Sequence, residues 1–184
     1  LYATVLNNNG QLGLGDSSNK NTWTQVTSMG SNVTAIAAGV NHSLALKSDG
    51  TLWVTGNNMY GQIGDVSNTN TWTQATSMGN NVIAIAAGAQ DSLALKSNGT
   101  LWATGRNNYG QLGLGDSSDR SIWTEVTSMG NNVNVIAAGA YHSLALKSGK
   151  LYVTGENDGA QLGLGNLTNI YSWTEVTSMG NNVT

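Results

Sequence analysis

The chain has 184 residues and a net charge of −3, with charged residues at only 9%, against roughly a quarter in ordinary soluble domains. Its 7 Lys and Arg are scattered, which excludes the clustered basic face that tracks nucleic-acid phosphates. The lack of Cys excludes disulfide frameworks and thiolate metal sites, and no apolar run is long enough for a membrane-spanning helix.

In chain order, Leu1-Tyr2-Ala3-Thr4 opens the sequence as a short strand, followed by a Gly/Asn-rich loop and a second strand begun by Trp23. Val33 to Gly39 is a run of small and apolar residues, here strand a. Ser43-Leu44-Ala45-Leu46-Lys47 alternates between turn signals and is strand b. Asp49-Gly50 between two alternating runs predicts a tight primed hairpin turn with positive φ at both central residues. Leu52 to Thr55 is strand c, and a long Gly/Asn-rich loop leads to strand d, Trp72 to Thr76. Ser77-Met78-Gly79-Asn80-Asn81 then turns the chain into the next strand a.

This order repeats. Leu52-Trp53-Val54-Thr55-Gly56 returns at Leu101 and at Leu151, and Leu1 opens an earlier copy with Val5 in place of the Gly. A fixed period near 50 residues marks units that bury their apolar faces only by stacking on neighbours. Four short strands per unit is the size of a propeller blade. The small residues of strand a suit the crowded axis, and the recurring Trp23, Trp72, Trp123 and Trp173 read as packing between blades. Helical solenoids are excluded by the lack of 3.6-residue periodicity, and kelch and WD-type blades by the lack of their Gly-Gly, Gly-His and Trp-Asp signatures. The fold expected is therefore all-β, a propeller of four-stranded antiparallel blades. It comprises a half blade at 1–32 and repeats at 33–81, 82–132 and 133–182. The first unit lacks strands a and b, so the chain reads as three and a half blades of a larger ring, completed by further chain or by self-association.

The motifs Gly10-Gln11-Leu12-Gly13-Leu14-Gly15-Asp16, Ala37-Ala38-Gly39, His42-Ser43-Leu44-Ala45-Leu46 and Asp49-Gly50-Thr51-Leu52-Trp53, repeated in the third copy, resemble the repeat of the regulator of chromosome condensation family. The resemblance covers nearly the whole chain. It implies a β-propeller, usually seven-bladed, and a binding role of the kind served by a bacterial β-lactamase inhibitor or by a nucleotide-exchange factor for a small GTPase. The sequence departs from the family pattern at Asp91, where His is usual, in the shortened Gly61 to Asp65 motif, and at Ala160 and Asn166.

Candidate chemistry is sparse, and no catalytic, cofactor or metal residue is assigned. His42 and His142 lack a partner that a shared mechanism would keep, since Asp91 replaces them in the middle copy, so they read as structural. Gly13-Leu14-Gly15-Asp16 lies between strands with no Lys-Ser or Lys-Thr following, which excludes a phosphate loop. Glu125 and Glu175 fall one blade apart, too far for paired acid–base work.

Diversity among the copies gathers in the a–b and c–d loops, which an antiparallel blade opens on one face. That pattern predicts a scaffold presenting a rim to a protein partner. The expected contact residues are Asn58, Tyr60, Gln90, Asp91, Arg106, Asn108, Tyr109 and Tyr141. Exchange-factor activity is the alternative. Carbohydrate binding by the repeated Trp and Asn residues is a weaker one.

Overall fold

The structure, a computed structural model, describes residues 1–183. Its strands run β1 (Tyr2–Val5), β2 (Lys20–Gln25), β3 (Val33–Ala38), β4 (His42–Lys47), β5 (Leu52–Gly56), β6 (Thr69–Gln74), β7 (Val82–Ala87), β8 (Asp91–Lys96), β9 (Leu101–Gly105), β10 (Arg120–Glu125), β11 (Val133–Ala138), β12 (His142–Lys147), β13 (Lys150–Gly155) and β14 (Ile170–Glu175). They form three four-stranded antiparallel sheets, β3–β6, β7–β10 and β11–β14, after a two-stranded sheet β1–β2. Strands a, b, c and d are thus β3 to β6 and their later equivalents. The all-β fold of four-stranded antiparallel blades is as the repeat implies.

Two local expectations are corrected. Strand d begins three residues before its Trp, so Trp72 lies mid-strand in β6, and Thr76–Met78 forms a 3₁₀ turn. The turn buries Met78, as its equivalents bury Met29 and Met129. The b–c hairpin is also not a primed two-residue turn in the first two complete sheets. Only Gly50 and Gly99 have positive φ, and the three-residue loop is closed by Gly50 N–H donating to Lys47 O at 2.9 Å and Lys47 N–H to Thr51 O at 3.1 Å. Loop length decides this: one extra residue converts the turn to a type I turn with a Gly bulge. The third hairpin is one residue shorter, and there Ser148 and Gly149 are both at positive φ, 52° and 73°.

Neighbouring sheets meet at junctions built alike. The Gly-rich c–d loop of one blade lies on strand d of the next: Gly15 N–H donates to Asn70 O at 2.8 Å, and Gly115 N–H to Tyr171 O at 2.8 Å. A Cβ on Gly13 would come within 2.4 Å of Trp72 Cδ1. A Cβ on Gly64 would meet Trp123 Cδ1 at 2.5 Å and one on Gly113 would meet Trp173 Cδ1 at 2.3 Å, so each glycine seats the next blade's indole. Thr55 Oγ1 donates to Gly10 O at 2.9 Å across the first junction, and Thr104 and Thr154 repeat this on Gly61 and Gly110. Leu44, Leu52, Ile63 and Met78 fill one core, and Leu93, Leu101, Leu112 and Met129 the next. Near the axis the a–b loops are tied by backbone bonds, Val40 N–H to Ala89 O at 3.2 Å and Ala89 N–H to Ala140 O at 3.1 Å. Only residues as small as Gly39 and Gly88 allow this, because a Cβ on Gly39 would lie 2.7 Å from Gly88 O.

Gly113 and Gly163 share a φ near 65°, but only Gly113 faces an indole. Replacing either by Ala is expected to cost about 1–2 kcal/mol of backbone strain. Gly113→Ala should cost roughly 1–3 kcal/mol more through overpacking against Trp173. Urea denaturation of the two variants measures the difference.

Candidate functional site

The a–b and c–d loops lie together on one face. Each c–d loop is folded around an Asn placed two residues after the end of strand c. Asn7 Oδ1 accepts Leu12 N–H at 2.9 Å, and its Nδ2 donates to Asp16 O at 2.9 Å. Asn107 and Asn157 repeat the pattern, and Asn58 does so with Ile63, Gly64 and Val66. Asn58 is therefore not a rim contact but the internal brace of its loop, because its amide is already bonded on both sides. Its recurrence in all four copies was the signal that marked it as structural.

The positions that differ between copies meet one another. At the first junction three amides join: Asn9 Nδ2 donates to Asn41 Oδ1 at 3.1 Å and Asn57 Nδ2 to Asn9 Oδ1 at 3.2 Å. At the second, the equivalent residues are Tyr60, Gln90 and Arg106. Arg106 Nη1 donates to Gln90 Oε1 at 2.6 Å, and the guanidinium lies 5.0 Å from the centre of the Tyr60 ring. At the third they are Tyr109, Tyr141 and Glu156. The two rings are tilted with centroids 5.3 Å apart, and Glu156 Oε2 accepts from Gln161. Tyr60, Gln90, Arg106, Tyr109 and Tyr141 are half-buried in these sets, whereas Asn108 is exposed on the loop between them.

Asp91 is corrected. It is 1% exposed and does not reach the rim. It occupies the site of His42, whose Nε2 bonds Ser92 Oγ at 2.9 Å, while Ser92 Oγ donates to Gln62 O at 2.7 Å across the junction. The Asp side chain is shorter, and that chain of bonds is broken in the next junction. Among the described residues neither Asp91 carboxyl oxygen has a hydrogen-bond partner of ordinary geometry, and Ser143 Oγ and Gln111 Nε2 are also left without one. Burial pushes the Asp91 carboxyl well above the usual carboxylate range, and the Gln90 backbone opposes this only in part. Burial pulls the His42 imidazole down to about 4.

The Trp residues do not line the rim. Trp72, Trp123 and Trp173 sit in the junctions, which removes the stacking platform a carbohydrate-binding reading needs. Trp53 and Trp102 lie beside the b–c turns, each under a Lys ammonium 4.1 and 4.2 Å from the ring centre. Trp23 is 72% exposed.

Two models of the regulator of chromosome condensation (RCC1) repeat match the chain, one at residues 6–46 and 98–146, the other at 33–62 and 82–111. The X-linked retinitis pigmentosa GTPase regulators of Homo sapiens and Mus musculus are 44% and 41% identical over 64 residues, 34% of this chain and 6% of theirs. The chain superposes on human WBSCR16 with a TM-score of 0.86 and 25% identity, covering 100% of itself and 50% of that structure. On Prp20p from Saccharomyces cerevisiae, described with its binding to Gsp1p and histones, the TM-score is 0.77 at 23% identity, covering 95% and 45%. The chain thus spans about half the length of these solved structures and a small part of the curated relatives.

Asp91 sets a pH dependence. Its folded pKa is raised, so the folded state holds the proton longer. Stability is greatest below the unfolded value of about 3.9 and is lost as pH climbs toward the folded value. His42 acts oppositely, adding stability as pH rises from about 4 to about 6.5. Asp91→His should restore the bond to Ser143, abolish the Asp91 contribution to the pH dependence, and raise stability at pH 7 by about 1–3 kcal/mol. Thermal melts of both proteins across the pH range check it.

Proposed function

The chain belongs to the regulator of chromosome condensation (RCC1) repeat family, and on that premise we propose that it is a non-enzymatic scaffold whose a–b and c–d loop rim binds a protein partner. The observation that carries this reading is the set of rim junctions. At each junction three residues from separate loops differ together from one copy to the next, from Asn9/Asn41/Asn57 to Tyr60/Gln90/Arg106 to Tyr109/Tyr141/Glu156. Independent drift of exposed loops would not keep side chains of separate loops fitted to one another, as the first two sets and the Tyr109–Tyr141 pair are. The result is an uncharged amide patch, a cationic aromatic patch and a pair of Tyr rings, in succession along one face. Tyr and Arg held rigid by neighbours are the residue types that dominate binding energy at protein interfaces. A partner that spans the rim would meet Arg106 with an acceptor and the Tyr rings with apolar or aromatic groups.

Exchange-factor activity is the second reading, favoured by the GTPase regulators among the relatives. Exchange needs an element that prefers the nucleotide-free GTPase. The unit starts at Leu1, Leu52, Leu101 and Leu151 leave no room for an inserted wedge.

The test is capture with crosslinking, comparing the wild-type chain with a Tyr60→Ala/Arg106→Ala/Tyr109→Ala rim variant and a Lys47→Ala/Lys96→Ala variant of the opposite face. The rim variant should lose a captured partner by about tenfold or more, and the opposite-face variant should keep it. Equal capture by both variants contradicts the rim assignment. In a nucleotide-release assay on small GTPases the chain should give no acceleration, and acceleration would favour the second reading.

A further inference from the structure

Met59 stands at the tip of its c–d loop, between the first and second rim sets. Asn57 of the first set lies two residues before it, and Tyr60 of the second follows it. Its side chain is 74% exposed, the highest value of any large apolar residue among those described. The other copies carry Asn8, Asn108 and Asp158 at this place, all exposed and all polar. A thioether thus occupies a position that the repeat otherwise keeps hydrophilic. Isolated exposed apolar residues are common on protein surfaces, and two features set Met59 apart from that background.

The first is a fixed backbone. Met59 N–H donates to Asn57 Oδ1 at 2.7 Å, and the same oxygen accepts from Gln62 Nε2 at 3.3 Å. Asn57 N–H donates to Asn41 O at 2.8 Å, and Tyr60 N–H to Gln62 Oε1 at 3.0 Å. Where Asn57 stands, the other copies have Leu6 and Arg106, which offer no side-chain acceptor, and Glu156, whose Oε2 accepts from Gln161. The loop that carries Met is therefore the one whose tip Asn57 can pin. A rigid backbone under an adaptable, unbranched side chain lowers the ordering cost of docking, and Met is enriched at protein interfaces.

The second feature is chemical. Of the five Met residues, Met29, Met78 and Met129 are buried in the 3₁₀ turns, and Met179 is 55% exposed on the last such turn. An exposed thioether takes up oxygen from peroxide and becomes a polar sulfoxide, whereas a buried one reacts only when the structure opens. We propose that Met59 is the apolar anchor of the rim and the site at which peroxide switches the rim off. This rests on the rim reading above. In the step, one oxygen of hydrogen peroxide bonds to Met59 Sδ, the O–O bond breaks, and the peroxide leaves as water. The sulfur is oxidised by two electrons and the peroxide is reduced by two. The product sets a polar S=O group beside Tyr60, where the partner brings apolar groups. Met59 belongs to neither large core, so the fold is untouched.

The experiment treats Met179→Leu, in which Met59 is the one exposed thioether among the described residues, with dilute hydrogen peroxide. Peptide mass spectrometry should find Met59 oxidised about tenfold or more faster than Met29, Met78 and Met129, with the thermal melt unchanged. In the crosslinking capture described above, the oxidised protein should take about a tenth of the partner taken by the untreated protein. Methionine sulfoxide reductase should restore it. Met59→Asn should show a similar loss without peroxide, and Met59→Leu/Met179→Leu should capture equally before and after treatment. Oxidation of Met59 no faster than that of the buried Met residues overturns the proposal. So does equal capture by oxidised and untreated protein. If Tyr60→Ala/Arg106→Ala/Tyr109→Ala still loses the partner in that case, the role of Met59 falls and the rim reading stands. Capture that neither oxidation nor the triple variant reduces, or no capture at all, removes both.

Discussion

The approach of one blade's Gly-rich loop to the indole of the next is the contact on which the structure depends. A four-stranded sheet of this composition has little to bury by itself: its strands are short, and its apolar side chains are mostly Ala, Val and Leu. The loop–indole junction converts a row of such sheets into one body. It requires glycine at positive φ on one side, as at Gly13 and Gly64, and a flat aromatic on the other, as at Trp72 and Trp123. The buried Thr hydroxyls tie the same surfaces by donating to a loop carbonyl of the neighbouring blade, as Thr104 Oγ1 does to Gly61 O. Stability in such an array is a sum of unit and neighbour terms, and here the neighbour terms are strong and repeated.

Against this regularity the exceptions carry information. Asp91 interrupts the His–Ser–carbonyl relay in one junction, leaving a buried carboxyl, a hydroxyl and an amide without partners. Native proteins hold few such groups, so this junction is the weakest seam between complete blades. Val5 interrupts the glycine requirement at the end of β1, at a φ of 85°. The junctions of the rim differ from one another in a coordinated way, while the opposite face repeats nearly unchanged.

Much of this was legible in the sequence. The period, the four strands per unit, the small residues near the axis and the shared face of the two variable loops all follow from pattern, because each reflects a local rule of spacing or sterics. The turn class at Ser48-Asp49-Gly50 is not legible from the dipeptide, because one residue of loop length changes it. The start of strand d is not legible either, because Thr69 to Thr71 carry no apolar alternation and are held in the sheet by β5. For Asn58 and Asp91, sequence position places a residue in a loop but does not give its direction. Asn58 turns inward to bond its own loop, and Asp91 lies under the loop that precedes it. The pairing of each Gly-rich loop with the Trp of the following unit spans about 60 residues, and no local signal encodes it.

The most direct measurement is residue-resolved amide hydrogen exchange on the whole chain, which reports local opening free energies strand by strand. If junctions hold the array together, β7 and β8, with blades packed on both sides, should be the most protected strands, and β1 and β2 should exchange first, with β11 between them. Equal protection in all sheets, or protection of β1 and β2 matching that of β8, would mean that each sheet is stable by itself and would contradict the account.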